Sequence, residues 1–379
     1  MTWQLPLDRF PDNLLNQEPT WLQAMKGCPQ DPRHHAEGDV YTHVERVCRE
    51  LIKLPAYQAL DKPGKQILAW SAALHDVAKP QCTVQLPEGR IASPGHAAKG
   101  ADMARRLLWK LDCPFSVREQ ICGLVHYHMK VFWALEEDRP ERLARRISLR
   151  CRCSDLAILA EADARGRICH DLAGLLDNVA LFRQLAEEAD CLHTPCHFAS
   201  PLGRYQYLQG KWHNPELAPY EDFACKVIVM SGLPGSGKDT WIEKQGPDWP
   251  VVSLDAIRSS MGISPGSNQG RVVEAAREKA RGYLRKKQNF IWNATNLSRL
   301  MRSKSLSLFL EYGAGVKIVY LERSPDILER QNSQREKAVP WRAVESMLTR
   351  WQLPTQEEAH QVEYLVNGRA SYPLPELLP

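Results

Sequence analysis

The spacing of apolar residues divides the chain into two regions. In residues 1–190, apolar residues recur every three or four positions, which is the period of an amphipathic helix. This spacing predicts helices in VYTHVERVCRELIKL, ILAWSAALHDVAK, AAKGADMARRLLWKL and DLAGLLDNVALFRQLAEEA. From residue 225 onward, helical stretches alternate with short β-branched runs: KVIVMSG, VVSLD, NFIWNAT, VKIVYLE and VEYLVN. Such alternation predicts a parallel sheet covered by helices.

A stretch rich in Pro, Gly and aromatic residues lies between the two regions. It covers residues 195–222, and this composition is typical of a partly packed linker. We therefore expect an all-α domain at residues 1–194 and an α/β domain at residues 223–379. Two domains agree with the length, since 379 residues exceed what one hydrophobic core usually holds.

Composition narrows the classes of protein that fit. Hydrophobic residues make up 44% and charged residues 25%, as in globular proteins. The net charge is only +4, but residues 223–379 hold 22 Lys and Arg against 16 Asp and Glu, which favours a phosphate-rich ligand there. No apolar run reaches 18 residues and no signal peptide is apparent, so we expect a cytoplasmic protein without a membrane span. Eleven Cys without a CxxC pair are typical of reduced thiols.

The first strand of the α/β region leads into a phosphate-binding motif. Residues 232–240 read GLPGSGKDT and match the P-loop pattern GxxxxGK, in which backbone N–H groups and the Lys bind the phosphates of ATP or another NTP. P-loops usually have Ser or Thr after the Lys to hold Mg²⁺. Here either Asp239 orients water on Mg²⁺ or Thr240 supplies the hydroxyl. The predicted nucleotide-binding residues of the loop are Gly232, Gly235, Ser236, Gly237, Lys238, Asp239 and Thr240.

Asp255 and Arg258 follow the second predicted strand. Ligands bind at the carboxyl ends of parallel strands, and a carboxylate there can accept the proton of a hydroxyl that attacks the γ-phosphate. We expect this catalytic role for Asp255, with a helix N-cap as the alternative. Arg258 lies one helical turn further on and is expected to hold a phosphate of the acceptor.

Further arginines and an asparagine are expected around the same nucleotide. Arg330 and Arg335 lie near a predicted break between two helices, where arginines can fold over a triphosphate as a lid. The alternative is a solvated basic face. Asn296, which follows the third strand, is expected to contact the substrate, and Arg299 and Arg302 are weaker candidates.

The helical region contains an unusual series of histidines and carboxylates. Seven of the twelve His lie between residues 34 and 128, and His75 and Asp76 are adjacent within an apolar stretch, where burial is costly unless they bind something. Imidazole and carboxylate together suit Zn, Fe, Mn, Co or Ni. The cluster CLHTPCH at residues 191–197 is a second possible zinc site, although it lacks the usual paired spacing. The remaining members of the series are His43, His96, His126 and Asp163.

This series resembles the HD phosphohydrolase superfamily in its two-metal form. The resemblance implies that Asp76 bridges two divalent metal ions. It also implies substrate contacts for Lys79, read as a ligand of the substrate phosphate, and for His34 or His35. The implied ligands are His43, His75, Asp76 and Asp163 for one ion, and Asp76, His96 and His126 for the other, with His128 as the rival of His126.

The second region resembles the polynucleotide 5′-kinases. The resemblance rests on GLPGSGKDT, LDAIR, NATN and the arginine-bearing segment before VP. An HD domain followed by such a kinase is similar to the bacterial HD-Pnk family of RNA end-healing enzymes. This similarity implies transfer of the γ-phosphate to a 5′-OH end and removal of a 2′,3′-cyclic phosphate or 3′-phosphate. It also implies RNA or DNA ends as substrates, and a ligase as a partner that seals them.

Two other functions are compatible with these patterns. One is a small-molecule kinase fused to a nucleotidase, which would act on nucleosides rather than polynucleotide ends. The other is an ATP-binding regulatory protein, although such a protein needs neither Asp255 nor the full metal series. The residues expected to carry catalysis are Lys238, Asp255, Arg258, Arg335 and Asp76.

Overall fold

A computed structural model of the chain describes residues 3–264, 267, 269–335 and 338–374. The chain divides into two units, one made of Met1–Cys196 with Tyr372–Pro379 and the other of His197–Ser371. The first unit is helical and the second contains a mostly parallel sheet, which confirms the predicted fold class at this level. Among the described residues, no helix has both the length and the apolar character needed to cross a bilayer.

The first unit is built almost entirely of helices. A small antiparallel hairpin is formed by β1 (Val84–Gln85) and β2 (Ile91–Ala92), and 3₁₀ turns cover Leu7–Arg9, Pro87–Gly89 and His128–Glu136. Its α-helices are α1 (Asp12–Gln17), α2 (Thr20–Gln23), α3 (Val40–Leu51), α4 (Pro55–Gln58), α5 (Lys62–Leu74), α6 (Lys79–Cys82), α7 (His96–Lys110), α8 (Phe115–Tyr127), α9 (Pro140–Ser148), α10 (Cys153–Gly166) and α11 (Leu172–Glu188).

Local signals explain where α3 begins and which face it buries. The side chain of Asp39 accepts a hydrogen bond from the Thr42 backbone N–H at 2.8 Å, so Asp39 caps the helix. Val40, Val44 and Val47 recur at helical spacing and are fully buried. This face packs against α5 and α10, which places α3 in the core of the unit.

The central helix α5 ends earlier than predicted. It is buried along almost its whole length, but it stops at Leu74, so His75 and Asp76 lie in a tight turn before α6. Beyond this turn, Pro80 has no N–H for a helical bond to the Asp76 carbonyl. That carbonyl accepts from the Lys79 N–H at 2.9 Å instead. The apolar stretch thus delivers His75 and Asp76 to the middle of the unit without continuing as a helix.

The second unit is an α/β fold. Its strands are β3 (Cys225–Ser231), β4 (Val251–Ser253), β5 (Phe290–Asn293), β6 (Ala314–Glu322), β7 (Gln361–Val366) and β8 (Arg369–Ser371). Its helices are α12 (Pro201–Leu208), α13 (Lys238–Lys244), α14 (Leu254–Ser260), α15 (Gln269–Arg285), α16 (Arg299–Glu311), α17 (Pro325–Ser333) and α18 (Trp341–Leu348).

The strands form one sheet in the order β4-β5-β3-β6-β7-β8. All neighbours are parallel except β7 and β8. The five predicted strands are confirmed, whereas the edge strand β8 was not predicted, because its sequence RAS lacks the β-branched apolar residues that indicated the others. Along β3, Val227 and Val229 enter one apolar cluster and Ile228 and Met230 enter another. Both faces of the central strand are therefore buried, as expected for a parallel sheet.

The segment predicted as a linker contains a helix that packs within the second unit. On α12, Arg204 donates hydrogen bonds to the carbonyl oxygens of His360 at 2.9 Å and Gln356 at 3.3 Å. Burial lowers the pKa of Arg204 to about 10. Two backbone carbonyls thus anchor this part of residues 195–222 to the segment before β7.

Candidate active sites

The first unit gathers four imidazoles around the carboxylate of Asp76. One oxygen of Asp76, Oδ2, lies 3.2 Å from His75 Nε2 and 3.8 Å from His43 Nε2. The other, Oδ1, lies 3.4 Å from His96 Nε2 and 3.8 Å from His128 Nε2. Each oxygen of one carboxylate therefore faces its own pair of imidazole nitrogens, which is the arrangement expected of a bridging ligand.

These side chains come from separate elements of the helical unit. Asp163 completes the first group, with Oδ1 3.1 Å from His43 Nε2. The sources are α3 for His43, the turn after α5 for His75 and Asp76, the first residue of α7 for His96, the start of the 3₁₀ turn after α8 for His128, and α10 for Asp163.

Three of the imidazoles are fixed in the same tautomer by their own backbone. Each is placed to donate its Nδ1 proton to the carbonyl oxygen three residues earlier, which leaves Nε2 with a lone pair. That lone pair lies in the cluster around Asp76, where a neutral imidazole can act as a metal ligand. The pairs are His75 with Ala72 at 2.8 Å, His96 with Ser93 at 2.7 Å and His128 with Val125 at 2.8 Å.

The donor set fits divalent metal ions. His43 Nε2, His75 Nε2 and Asp76 Oδ1 are buried and have no hydrogen-bond partner among the described residues. Buried polar atoms are normally satisfied, and acceptors that face acceptors repel one another unless a cation lies between them. Three sets of ligand atoms lie within metal-binding reach in the described part of the chain. One is His35, Glu37 and His43, and the two metal-ligand groups of this centre are His43, His75 and Asp163, and Asp76, His96 and His128.

Cations keep the two carboxylates ionised. Burial opposes ionisation of Asp76, but the Lys79 ammonium holds its pKa well below the usual value. The Lys79 Nζ lies 2.7 Å from Asp76 Oδ2 and donates to Gln30 Oε1 at 2.7 Å. Arg167 has the same effect on the pKa of Asp163, again against burial. Both carboxylates are thus ready to bind cations at neutral pH.

His128 takes the place that was expected for His126. His126 is half-buried, and its ring packs edge-on against Tyr127 at 4.6 Å. It belongs to neither metal-ligand group of the described residues. Side chains two residues apart on a helix point in nearly opposite directions. Only one of the two histidines can therefore point into the core. The expectation for His126 is therefore corrected.

The two neighbouring histidines His34 and His35 lie in different environments, and the substrate contact of His34 stays a prediction. The His34 side chain is exposed, whereas the neighbouring His35 is largely buried, with its ring centroid 4.6 Å from that of His43. The structure brings His35, rather than His34, to the histidine cluster. The cysteine and histidine cluster at residues 191–197 is absent from the candidate metal groups of the described residues.

Sequence reasoning missed three polar residues around this centre. Glu37 lies 2.8 Å from the Nδ1 atoms of both His35 and His43. Arg167 pairs with both oxygens of Asp163, at 3.0 and 2.8 Å. Gln30 holds Lys79. The position of Arg167, one helical turn after Asp163, was a usable signal, whereas Gln30 lies far from Lys79 in sequence.

In the second unit, the P-loop joins β3 to α13 as predicted. Gly232, Gly235 and Gly237 have φ values of 149°, 82° and 98°, which suit glycine alone. A Cβ at Gly232 would collide with the Leu321 carbonyl oxygen. Lys238 donates to the carbonyl oxygens of Gly232 and Leu233, each at 2.9 Å. Burial lowers the pKa of Lys238 to about 8, and Arg335 adds to this effect.

The residues after Lys238 differ in their contacts. Asp239 accepts a hydrogen bond from the Asn293 side chain at 2.7 Å, so the end of β5 orients this carboxylate. Thr240 is exposed on the first turn of α13. Ser236 is buried, and its Oγ has no hydrogen-bond partner among the described residues, which fits a group that binds a ligand.

Asp255 is not the N-cap of its helix. Ser253 caps α14 by accepting from the Ala256 N–H at 3.3 Å. Asp255 lies in the first turn with its side chain 79% exposed and pairs with Arg258. Arg258 also donates to Gln269 at 3.0 Å. The alternative of a capping role for Asp255 is therefore wrong, and its carboxylate is open to solvent.

The two lid arginines have different environments. Arg335 is half-buried after α17, close enough to Lys238 to lower its pKa, whereas Arg330 is exposed on α17. Asn332, which sequence reasoning missed, bonds to the backbone of Val339 through both ends of its amide, at 2.7 and 3.2 Å. A Cβ at Gly235 would lie 3.2 Å from Asn332. Asn332 thus holds the segment with Arg335 next to the P-loop.

The side chain of Asn296 is buried in the protein rather than open to a ligand. It is 3% exposed, adopts φ 47°, and donates from its side chain to the Met230 carbonyl at 2.8 Å. Arg302 is fully buried in an ion pair with Glu358. Arg299 is exposed and pairs with Glu357. The side chains of Asn296 and Arg302 thus connect the end of β5 to β3 and α16. Because these internal contacts occupy the Asn296 side chain, a substrate role for it is not supported.

Arg323 is a basic residue at the P-loop that no motif indicated. It directly follows β6, and its guanidinium lies 3.1 Å from the point where a Cβ on Gly237 would be. On its other side, it lies 3.4 Å from the corresponding point on Gly368. Burial lowers the pKa of Arg323. A partly desolvated cation beside Lys238 is favourable when an anion lies close to both.

Comparison with known proteins supports the nature of the second unit. A family model described as an AAA domain matches residues 227–354, which include the P-loop, Asp255 and the lid segment. Together with the mostly parallel sheet, this match supports a P-loop α/β domain in the second unit. The fold implies binding of ATP or another NTP together with Mg²⁺.

Curated relatives are similar to part of the chain. A multifunctional CCA protein of Halorhodospira halophila is 35% identical over 115 residues, 30% of this chain and 25% of that protein. An A-adding tRNA nucleotidyltransferase of Deinococcus radiodurans is 31% identical over 170 residues, 44% of this chain and 36% of that protein. The chain thus spans about a quarter to a third of the length of these relatives.

Among solved structures, a gluconokinase from Sinorhizobium meliloti 1021 is similar in fold. It has 19% sequence identity and a TM-score of 0.29, and the match covers 39% of this chain and 86% of that one.

Proposed function

We propose that the chain is a bifunctional enzyme that heals polynucleotide ends. One site phosphorylates a 5′-OH end and the other removes a 2′,3′-cyclic phosphate or a 3′-phosphate. The observation that carries the proposal is the pairing, in one chain, of a P-loop with a carboxylate flanked by four imidazoles. Both sites are suited to phosphate chemistry, and together they leave the 5′-phosphate and 3′-OH that a ligase joins.

The proposed kinase reaction uses the P-loop rim. Backbone N–H groups and Lys238 bind the β- and γ-phosphates of ATP or another NTP. Asp255, exposed beside Arg258, accepts the proton of the attacking 5′-hydroxyl as its oxygen bonds to the γ-phosphorus and the bond to ADP breaks. Arg335 offsets the charge that develops on the transferred group. Asp239 or Thr240 would hold Mg²⁺, which would offset phosphate charge when bound.

The proposed hydrolase reaction takes place at the histidine centre of the first unit. Its ligands would hold two divalent ions from the set Mn, Ni, Co, Zn and Fe, with His128 in place of His126. Ions bound there supply Lewis-acid activation of a phosphoryl group. Lys79, beside Asp76 and fixed by Gln30, is placed to hold a phosphate oxygen. Asp76 spans both ligand groups and keeps them at a fixed separation.

RNA is the substrate class that we favour. The Deinococcus relative is named for adding A to tRNA, and the second unit has an excess of basic residues, which suits a polyanion. DNA ends remain a variation on the same chemistry. A substrate test distinguishes this proposal from the two alternatives. These are a small-molecule kinase fused to a nucleotidase and an ATP-binding regulatory protein.

The deciding experiment offers both kinds of end to the purified chain. A 5′-OH RNA oligonucleotide with a 3′-phosphate is incubated with γ-labelled ATP and Mg²⁺, with and without Mn²⁺, Ni²⁺ or Co²⁺. We expect label at the 5′ end in all reactions and loss of the 3′-phosphate only with the added ion. Label on a free nucleoside but not on RNA would support the small-molecule alternative, and no transfer to any acceptor would support the regulatory one.

A further inference from the structure

His43 differs from the other imidazoles of the histidine centre in what holds its Nδ1. His75, His96 and His128 each reach a backbone carbonyl three residues earlier. His43 lies inside α3, where carbonyls already accept helical hydrogen bonds. Its Nδ1 instead lies 2.8 Å from the Oε1 atom of Glu37. A side chain therefore does for His43 what the backbone does for the other three.

Both carboxylate oxygens of Glu37 contact N–H groups of the protein. Its side chain is 1% exposed, and Oε1 also accepts a hydrogen bond from His35 Nδ1 at 2.8 Å. Oε2 accepts from the Ile168 backbone N–H at 2.7 Å. A glutamate is ionised at neutral pH, and a carboxylate can only accept hydrogen bonds, so the contacts of both oxygens call for N–H groups.

This carboxylate determines which nitrogen of His43 carries the proton. The N–H of His43 is not aligned for a linear hydrogen bond to Glu37. Even so, a contact of 2.8 Å between a carboxylate oxygen and an unprotonated nitrogen would be repulsive, so Nδ1 carries the proton. The lone pair is then on Nε2, 3.1 Å from Asp163 Oδ1, and a bound cation would relieve the repulsion between these two acceptors. That nitrogen is the one that the metal ligand set requires.

The same contacts attach Glu37 to the helix that carries Asp163. The Ala36 N–H donates to the Ile168 carbonyl at 2.9 Å, so Ala36 and Glu37 both pair with Ile168, just beyond the end of α10. Arg167, the residue before Ile168, holds Asp163. The loop before α3 and the end of α10 thus fix His43 and Asp163 relative to each other.

We propose that Glu37 is a positioning residue of the metal centre, which orients His43 as a ligand through its Nε2. The inference rests on the metal site of the proposed function. Partners of metal-ligating histidines typically change metal affinity 10–100-fold when they are removed. In Glu37→Gln, the amide –NH₂ would face either the Ile168 N–H or the Nδ1 protons, so the three acceptor contacts cannot all be kept.

The test measures binding of Mn²⁺ alone to the metal-free full chain, by the electron paramagnetic resonance signal of free Mn²⁺. Wild type should bind two ions. Glu37→Gln should bind one of them 10–100-fold more weakly, with an unfolding midpoint close to that of wild type. The matched control is Glu45→Gln on α3, which loses a partly exposed pair with Arg49 and should bind Mn²⁺ within about twofold of wild type.

Each outcome has one meaning. Equal Mn²⁺ affinity in Glu37→Gln and wild type would overturn the role of Glu37 while leaving the metal site intact. No Mn²⁺ binding by wild type would refute the metal site itself and the inference with it. If Glu37→Gln lacks the wild-type unfolding transition, Glu37→Asp is judged by the same criterion, because its shorter side chain keeps the charge but withdraws it from both imidazoles.

Discussion

The two candidate sites are built in opposite ways. The P-loop occupies nine consecutive residues, 232–240, and binds largely through the backbone. The histidine centre draws its ligands from five segments between His43 and Asp163, and all of them act through side chains. A contiguous motif needs only a strand and a helix to take shape, whereas the histidine centre exists only if the whole helical core packs correctly.

The sites also differ in how their charges are stabilised. In the histidine centre, Asp76 and Asp163 are 1% exposed and are compensated by Lys79 and Arg167. On the P-loop rim, Asp255 is exposed. Removal of one partner from a buried set leaves uncompensated charge, while an exposed group can be removed with little effect on folding. Mutations should therefore separate the two activities cleanly, and with different side effects.

The largest effect is expected for Asp76→Ala. Asp76 faces both pairs of imidazoles, so its loss should remove both metal ions and reduce hydrolysis of 3′-phosphate and 2′,3′-cyclic ends by more than about 100-fold, beyond what a supporting partner costs. The 5′-kinase should be unchanged. Metal analysis of the purified proteins checks this. Equal, near-zero metal in wild type and variant would contradict it.

A comparable effect on the other site is expected for Lys238→Ala. Loss of a preorganised cation from the phosphates should lower 5′-phosphorylation by about 10³-fold. End hydrolysis should stay at the wild-type rate because the residues that carry it lie in the first unit. Both rates are measured on the same preparation. If a folded variant loses both activities, the idea of two independent sites fails.

A smaller effect is expected for Arg323→Gln. If the guanidinium beside Gly237 contacts the nucleotide, loss of one charge-assisted hydrogen bond should raise the KM for NTP about tenfold with little change in kcat. The control is Arg369→Gln, because Arg369 is an exposed arginine at the start of β8. Steady-state kinetics with varied NTP decides it, and an unchanged KM would assign Arg323 to packing alone.

The smallest effect is expected for His126→Ala. Because His126 lies outside the ligand groups of the described residues, metal content and hydrolysis should stay within about twofold of wild type. His128→Ala should lose one metal ion under the same conditions. Metal analysis of the pair checks the correction directly. The reverse result would restore the original prediction and show that the ring of His126 turns inward.

Most of the fold could be predicted because its signals are local. These signals are the hydrophobic periods of α3 and β3, the helix caps and the glycines of the P-loop. Each involves residues only a few positions apart in the chain. His126 and His128 could not be separated in this way, because the choice depends on which side of α8 faces the core. Asn296 was misjudged for a related reason. Its place at the rim of the sheet was predicted correctly, but its hydrogen bond to Met230 comes from a strand 66 residues away.

The sequence by itself determined the two regions, the central strand with its P-loop, and the presence of a histidine and carboxylate series. Only the tertiary structure decided which members of that series meet. The physical reason is that the burial of α5 brings His75 and Asp76 into the core, where a charge is stable only beside compensating groups. Lys79, Gln30, Glu37 and Arg167 supply these compensating contacts. The roles of Gln30 and Glu37 depend on distances between segments, which no pattern along the chain encodes.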